Sequence, residues 1–346
     1  MRLLSAIEAI GPSIDRTKAV LFQPFRKGRT WKLSATAYLA RMGTIFLPFP
    51  LGYLYFFPAA KRTGGTALAA ALVIGLVLIT AVGVWLFHLC TRISFAFFDI
   101  VLFRGEFVAP AWRKYGPPSR KWTAAKVLLG TVIAAIFAVP LVAFFGNLFV
   151  IFSSIKPGQP PPPESIATIF AAYFFFYFGF GIFYFVSSLL GDFILPSLAL
   201  ENTTLEEAFR RFFELIRREP GQFGLYVLLK FFLGIAVYMG AFVALEIVII
   251  LVTLILALVI GAFGFLLHLI GVPSAVLIGV AIFLAVLWYL FIAFYAVILV
   301  MGGVLTFFEA YNLYFLGGRY PLLGDLLEPT YTPPPLPNYP PSMPPA

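Results

Sequence analysis

Charge is scarce in this chain. Asp, Glu, Lys and Arg make up 11% of its 346 residues, against 61% that are hydrophobic. A soluble domain carries roughly 25% charged residues, so a soluble fold is excluded and an integral membrane protein is expected. The single cysteine, Cys90, excludes an intramolecular disulfide and any cysteine-rich metal site. The two histidines, His88 and His268, show no HExxH spacing, so no shared metal is expected. P-loop, GxGxxG and GxSxG motifs are all missing. No catalytic residue, cofactor or metal site is therefore expected. Acidic residues are the scarcer sign, and the net charge is +9. The basic residues cluster beside apolar runs, which suits membrane orientation and anionic headgroups better than nucleic acid.

Long apolar runs are abundant. Crossings are expected over about 33–57, 66–103, 122–152, 166–198, 223–270 and 274–316, each longer than the ~20 residues one crossing needs. Lys61-Arg62-Thr63-Gly64-Gly65 reads as a turn between the first two, and Pro48 and Pro50 as kinks in the first. Gly271-Val272-Pro273 separates the last two, with further breaks expected near Gly261 and Gly302-Gly303. Each of those two long runs is either one helix, giving six crossings, or a hairpin, giving eight. No turn signal sits near Glu246, which favours six. Glycines such as Gly75, Gly83, Gly234, Gly240, Gly261 and Gly264 are expected to let helices approach closely.

Around this transmembrane domain, 33–320, lie two polar ends. Residues 1–32 are basic, with Leu3, Ile7, Ile10 and Ile14 spaced as one apolar face. The first eleven residues are no secretory signal, because the apolar stretch is short and Glu8 interrupts it. Residues 321–346 read as a Pro-rich disordered tail, either a ligand for a protein partner or a plain solvated segment.

The most ordered charge pattern lies at 203–219. Leu205, Ala208, Phe209, Phe212, Phe213, Leu215 and Ile216 fall in an arc of about 160° at 100° per residue. Glu206, Glu207, Arg210, Arg211, Glu214, Arg217 and Arg218 fall opposite. Thr203 or Thr204, with a Glu three residues on, supplies the cap. Glu206–Arg210, Glu207–Arg211 and Glu214–Arg218 have i,i+4 spacing, and Pro220-Gly221 is the stop. Between two membrane-length runs such a helix is expected in the bilayer interface, apolar face down. A second interfacial segment is expected near 104–121.

Orientation follows from Lys and Arg. Residues 1–32 and 92–126 hold seven each and 201–218 hold four, whereas the other side has only Lys61, Arg62 and Lys156. The positive-inside rule then places both termini in the cytoplasm, in an inner membrane. Asn202-Thr203-Thr204 matches a glycosylation sequon, but on that face it is read as chance.

A threefold grammar runs through the chain. Residues 19–31, 111–122 and 208–223 each pass from Ala through aromatic or aliphatic and basic residues to an aromatic that opens a membrane run. Three repeats of an interfacial helix plus two crossings would explain it; basic flanks and aromatic belts alone would also.

The residues that carry a resemblance are Ile14-Asp15-Arg16-Thr17-Lys18 with Leu21-Phe22-Gln23-Pro24-Phe25 and Trp31, and Phe98-Asp99 ahead of Ala109-Pro110-Ala111-Trp112-Arg113-Lys114-Tyr115. Asp192-Phe193-Ile194-Leu195-Pro196, Glu207-Ala208-Phe209-Arg210-Arg211-Phe212 and Ala310-Tyr311-Asn312-Leu313-Tyr314-Phe315-Leu316 extend it. On these, most of residues 13–320 resembles a group of uncharacterised bacterial polytopic membrane proteins. They are similar to the membrane domain attached to some glycerophosphoryl diester phosphodiesterases. The resemblance implies architecture and no catalytic residue. Positions that are often cysteine in the fifth crossing are apolar here. No soluble stretch of barrel size occurs, so the catalytic domain is expected to be absent.

Ionisable groups within crossings are functional candidates. Arg41, Lys126 and Lys230 sit early in the first, third and fifth crossings; Asp99, Asp192 and Glu309 sit late in the second, fourth and last. One reading pairs a base and an acid within each repeat. Others let the bases snorkel, or make the six an ion or substrate path. Glu246 lies about 24 Å along a helix from Lys230, too far to pair on a straight rod. Arg113, Lys114, Arg210, Arg211, Arg217 and Arg218 are candidate headgroup contacts. The expected function is a non-enzymatic scaffold, or a lipid- or partner-binding module, at the cytoplasmic face, with anionic lipids as partners. The alternatives are a transporter or channel using Lys230 and Glu246, or an accessory domain in glycerophospholipid metabolism.

Overall fold

A computed structural model of the chain describes residues 2–23, 25–44, 51–132 and 163–328. These are helical, with no strand among them. The order is α1 (Ile10–Phe22), α2 (Lys27–Met42), α3 (Leu51–Phe103), α4 (Val108–Lys114), α5 (116–132), α6 (Pro163–Glu201), α7 (Leu205–Arg218), α8 (Pro220–Leu269), α9 (Ser274–Gly317) and α10 (Pro321–Leu327). Four of them contain segments long and apolar enough to cross a membrane, Val73–Phe103, Tyr177–Glu201, Pro220–Leu269 and Ser274–Gly317. The protein is thus an all-helical membrane protein. At 1.5 Å per residue α8 is about 75 Å long, well beyond a ~30 Å hydrocarbon core.

Several boundaries differ from expectation. The runs at 223–270 and 274–316 are one helix each, unbroken at Gly261 and Gly302, and they turn at Gly271, whose φ is +88°. An isolated glycine lowers helix propensity by about 1 kcal/mol but removes no hydrogen bond, so the ladder continues through it. Likewise Lys61–Gly65 is not a turn but part of α3. The run expected to cross at 33–57 is divided: α2 ends at Met42, where the Gly43 N–H donates to the Ala40 carbonyl and the Thr44 N–H to the Arg41 carbonyl, and Leu51–Phe57 opens α3. Pro48, Pro50, most of the third expected crossing and the Pro-rich tail from 329 lie outside the described residues. Pro321–Leu327, expected within the C-terminal Pro-rich segment 321–346, is a helix that buries Leu323 and Leu327.

The buried parts of the long helices meet at one end. Residues 95–102 of α3, 187–198 of α6 and 304–316 of α9 are largely buried, whereas Val73–Leu86, most of α8 and the first half of α9 expose apolar side chains. Unpaired apolar surface on that scale suits lipid. At the buried end Phe193 is ringed by Phe212, Phe223, Tyr226 and Phe315, with centroids 5.3–6.3 Å away. Tyr226 also stacks on Phe315 at 4.4 Å. The N-terminus joins this end, since the Arg319 guanidinium donates to the Leu4 carbonyl and to Glu219.

α7 matches its sequence closely in extent and less so in its surroundings. Thr204 is the cap, its hydroxyl accepting from the Glu207 N–H at 3.2 Å. The left-handed backbone of Asn202, a favoured residue at helix C-termini, precedes it at the end of α6. The apolar face, however, packs inward: Ala208 and Phe212 are buried against α6 and α8, and only Phe213 is strongly exposed. Protein, not lipid, takes most of the face expected in the bilayer interface. Thr204→Ala should cost about 1 kcal/mol, read as a drop in thermal midpoint; Thr203→Ala should change it little.

Candidate functional site

Six helices bring a charged group or a hydroxyl to one part-open cavity of about 80 Å³: Arg41 from α2, Ser94 from α3, Lys126 from α5, Asp192 from α6, Lys230 from α8 and Glu309 from α9. Each helix carries at least one polar residue where it faces the cavity, α6 both Ser188 and Asp192, and convergence collects them. Asp192 and Lys230 form an ion pair with side chains 11% and 7% exposed. Tyr226 donates to the same carboxylate at 3.1 Å, and the Asn312 amide donates to the Asp192 carbonyl at 2.8 Å. Lys230 also lies 3.4 Å from Ser188 Oγ.

The other two cations have no carboxylate partner among the described residues. Arg41 Nη1 donates to Ser188 Oγ at 2.9 Å, and its guanidinium stacks over Tyr184 at 4.6 Å. Its buried Nε has no hydrogen-bond partner among the described residues. Lys126 is buried, donates to the Gly43 carbonyl at 2.5 Å and sits over the Trp122 ring at 5.2 Å. Glu309 lines the cavity and forms no ion pair among the described residues. Pairing within repeats is therefore corrected. Among the described residues, the ion pair of the cavity joins Asp192 of α6 to Lys230 of α8.

Asp99 stands apart, accepting from Lys114 Nζ at 2.8 Å and from the Tyr115 hydroxyl at 2.5 Å. Burial, with that carboxylate beside it, pushes the Tyr115 phenol well above its ordinary range. Glu246 is exposed on α8, away from the cavity, so it does not act with Lys230. His88 contacts Thr123 at 3.0 Å and His268 is exposed; among the described residues no His, Cys, Asp or Glu cluster suits a metal.

Of the headgroup candidates, four are already paired: Lys114 with Asp99, Arg210 with Glu207, Arg211 with Glu201 and Glu207, and Arg218 with Glu214. The hydrogen bonds from Arg210 and Arg211 hold the Glu207 carboxyl below its usual range. Glu206–Arg210 is not formed. Arg113 and Arg217 are exposed and without a carboxylate within 4 Å.

Sequence reasoning missed Ser94, Ser188, Tyr184 and Gly43. Ser187-Ser188 inside an apolar run was the one visible signal. It also misplaced the close approaches. A Cβ at Gly75, Gly83, Gly234, Gly240, Gly261 or Gly264 would meet nothing within 4 Å, whereas one at Gly43 would lie 2.7 Å from the Cys90 carbonyl carbon.

The chain matches, over residues 4–326, a family of unknown function, DUF7544, and belongs to it. No curated protein and no solved structure matches.

Proposed function

We propose that this family member is a non-enzymatic, multi-pass protein whose buried end sits at the cytoplasmic side of an inner membrane and holds anionic lipid or a partner there. The observation that carries this reading is an inverted amphipathic face. Ala6, Ala9, Ser13 and Arg16 are buried, while Leu3, Ile7 and Ile14 on the opposite face are exposed by 54%, 60% and 42%. Apolar side chains turned outward, together with exposed cations such as Arg26, Arg113, Lys121 and Arg217, suit the headgroup boundary. Both termini then share the cytoplasmic side.

A threefold repeat belongs to the same proposal. Short helices α1, α4 and α7 each precede a helix bearing a cavity cation. Ser94, Asp192 and Glu309 occupy similar places counted back from the ends of α3, α6 and α9. A second reading, a transporter, draws on the charged cavity and no longer on Glu246. An accessory role in glycerophospholipid metabolism draws only on the likeness to phosphodiesterase membrane domains.

The first reading is tested by washing the detergent-purified chain and weighing retained anionic lipid by mass spectrometry. Arg113→Gln and Arg217→Gln should each lower affinity roughly fivefold, since a surface cation contributes about 1 kcal/mol to anionic-membrane binding. Arg210→Gln and Arg218→Gln, already neutralised, should do less. Retention equal to wild type in the Arg113/Arg217 double variant would sink the docking proposal.

A further inference from the structure

The charged cavity does not balance. Among the described residues, Arg41, Lys126 and Lys230 face Asp192 and Glu309, three basic groups against two acidic. Lys230 and Asp192 neutralise each other, which leaves Arg41 and Lys126 with Glu309 and one uncompensated positive charge. In the position where α6 and α9 carry a carboxylate, α3 carries Ser94, whose hydroxyl is committed to the Ala40 carbonyl at 2.7 Å. The missing third acid is thus the source of the excess. A buried uncompensated charge is costly by several kcal/mol, and a bound anion removes that cost.

We propose that this cavity is a binding site for one singly charged oxyanion, held by Arg41 and Lys126. Its volume of about 80 Å³ admits a group of a few heavy atoms; pockets for whole drug-sized ligands run about 300–1,000 Å³. Lys126 and Thr44 also border a small crevice with Leu129, Phe183 and Leu190. A charged chamber opening onto apolar side chains fits the phosphodiester of a lipid headgroup, with the acyl part outside, as well as a free anion of the same charge. The Arg41 guanidinium donates to Ser188 and meets no carboxylate among the described residues, so its charge is left for such an anion. The proposal uses none of the exposed cations of the surface-docking reading and goes beyond it.

The test is calorimetric titration of the full chain in a maltoside detergent with two probes, dihexanoyl phosphatidylglycerol and dimethyl phosphate. Saturable binding of at least the first, one per chain, is expected. Binding of both assigns a free-anion site, and binding of the lipid alone a headgroup site. Arg41→Gln and Lys126→Gln should each weaken binding at least tenfold, and Lys126→Arg should restore most of it. His268→Gln, an exposed residue at the other end of α8 from Lys230, should leave it unchanged. Glu309→Gln removes the opposing charge and should tighten binding severalfold, a change that a purely structural role would not produce. No saturable binding of either probe, undiminished binding in folded Lys126→Gln and Arg41→Gln, or unchanged or weaker binding in Glu309→Gln would each overturn the proposal. Should the lysine and arginine variants not fold, the Glu309→Gln result decides.

Discussion

Asp192→Lys is expected to prevent accumulation of folded protein, and Lys230→Asp added to it should restore most of what is lost. The carboxylate is nearly buried, and it accepts from both Lys230 and Tyr226. Removing one partner of a buried pair costs about 3–5 kcal/mol, because the other charge stays desolvated and alone. Placing a second ammonium there adds repulsion from Lys230 and from nearby Arg41. Against a typical stability of about 5–15 kcal/mol, that is a large fraction. The exchange of signs puts an acid on α8 and a base on α6, so the pair can re-form, with some loss because Tyr226 no longer has its carboxylate. Thermal unfolding in detergent, followed by tryptophan fluorescence and size-exclusion profile, reads the outcome. If Arg41→Asp or Lys126→Asp rescues Asp192→Lys as well as Lys230→Asp does, the assignment of partners is wrong.

How much of this was legible beforehand varied with the kind of signal. The extent of α7 could be read because its start, stop and period all agree: Thr204 caps it, Pro220 cannot extend it, and its apolar residues recur at helical spacing. Class was legible from composition alone. Five of the seven candidate charges do share one site, which follows from the cost of leaving any of them in hydrocarbon. What could not be read is partnership. Sequence spacing places Asp192 late on one helix and Lys230 early on another, but not which helices face each other, and Asp99 and Asp192 look alike until Tyr115 and Lys114 claim one of them. The turn expected at Lys61–Gly65 failed for a related reason. Two charges and two glycines weaken a helix without ending it, and nothing there forces the backbone out of its ladder.

Glycine shows the same limit most sharply at Gly302-Gly303. The two are adjacent in α9, chemically identical, and indistinguishable in sequence. At Gly303 a Cβ would meet nothing within 4 Å, but at Gly302 it would fall on Ser34 of α2, with the Ser34 Cα at 2.5 Å. Backbone cannot yield as a flexible side chain can, so α2 would have to move. Overpacking of this kind costs about 1–3 kcal/mol, occasionally more, whereas relieving a helix-interior glycine gains up to about 1 kcal/mol. Gly302→Ala is therefore expected to lower the thermal midpoint and Gly303→Ala to hold or raise it. The displacement should also reach the cavity, because Ala37, Ala40 and Arg41 lie on the same helix as Ser34 and line it. Gly302→Ala should then weaken oxyanion binding although residue 302 contributes nothing to the cavity, and Gly303→Ala should not. Equal midpoints for the two variants would mean that α2 does not rest on α9 at Ser34, and the position of Arg41 would lose its support.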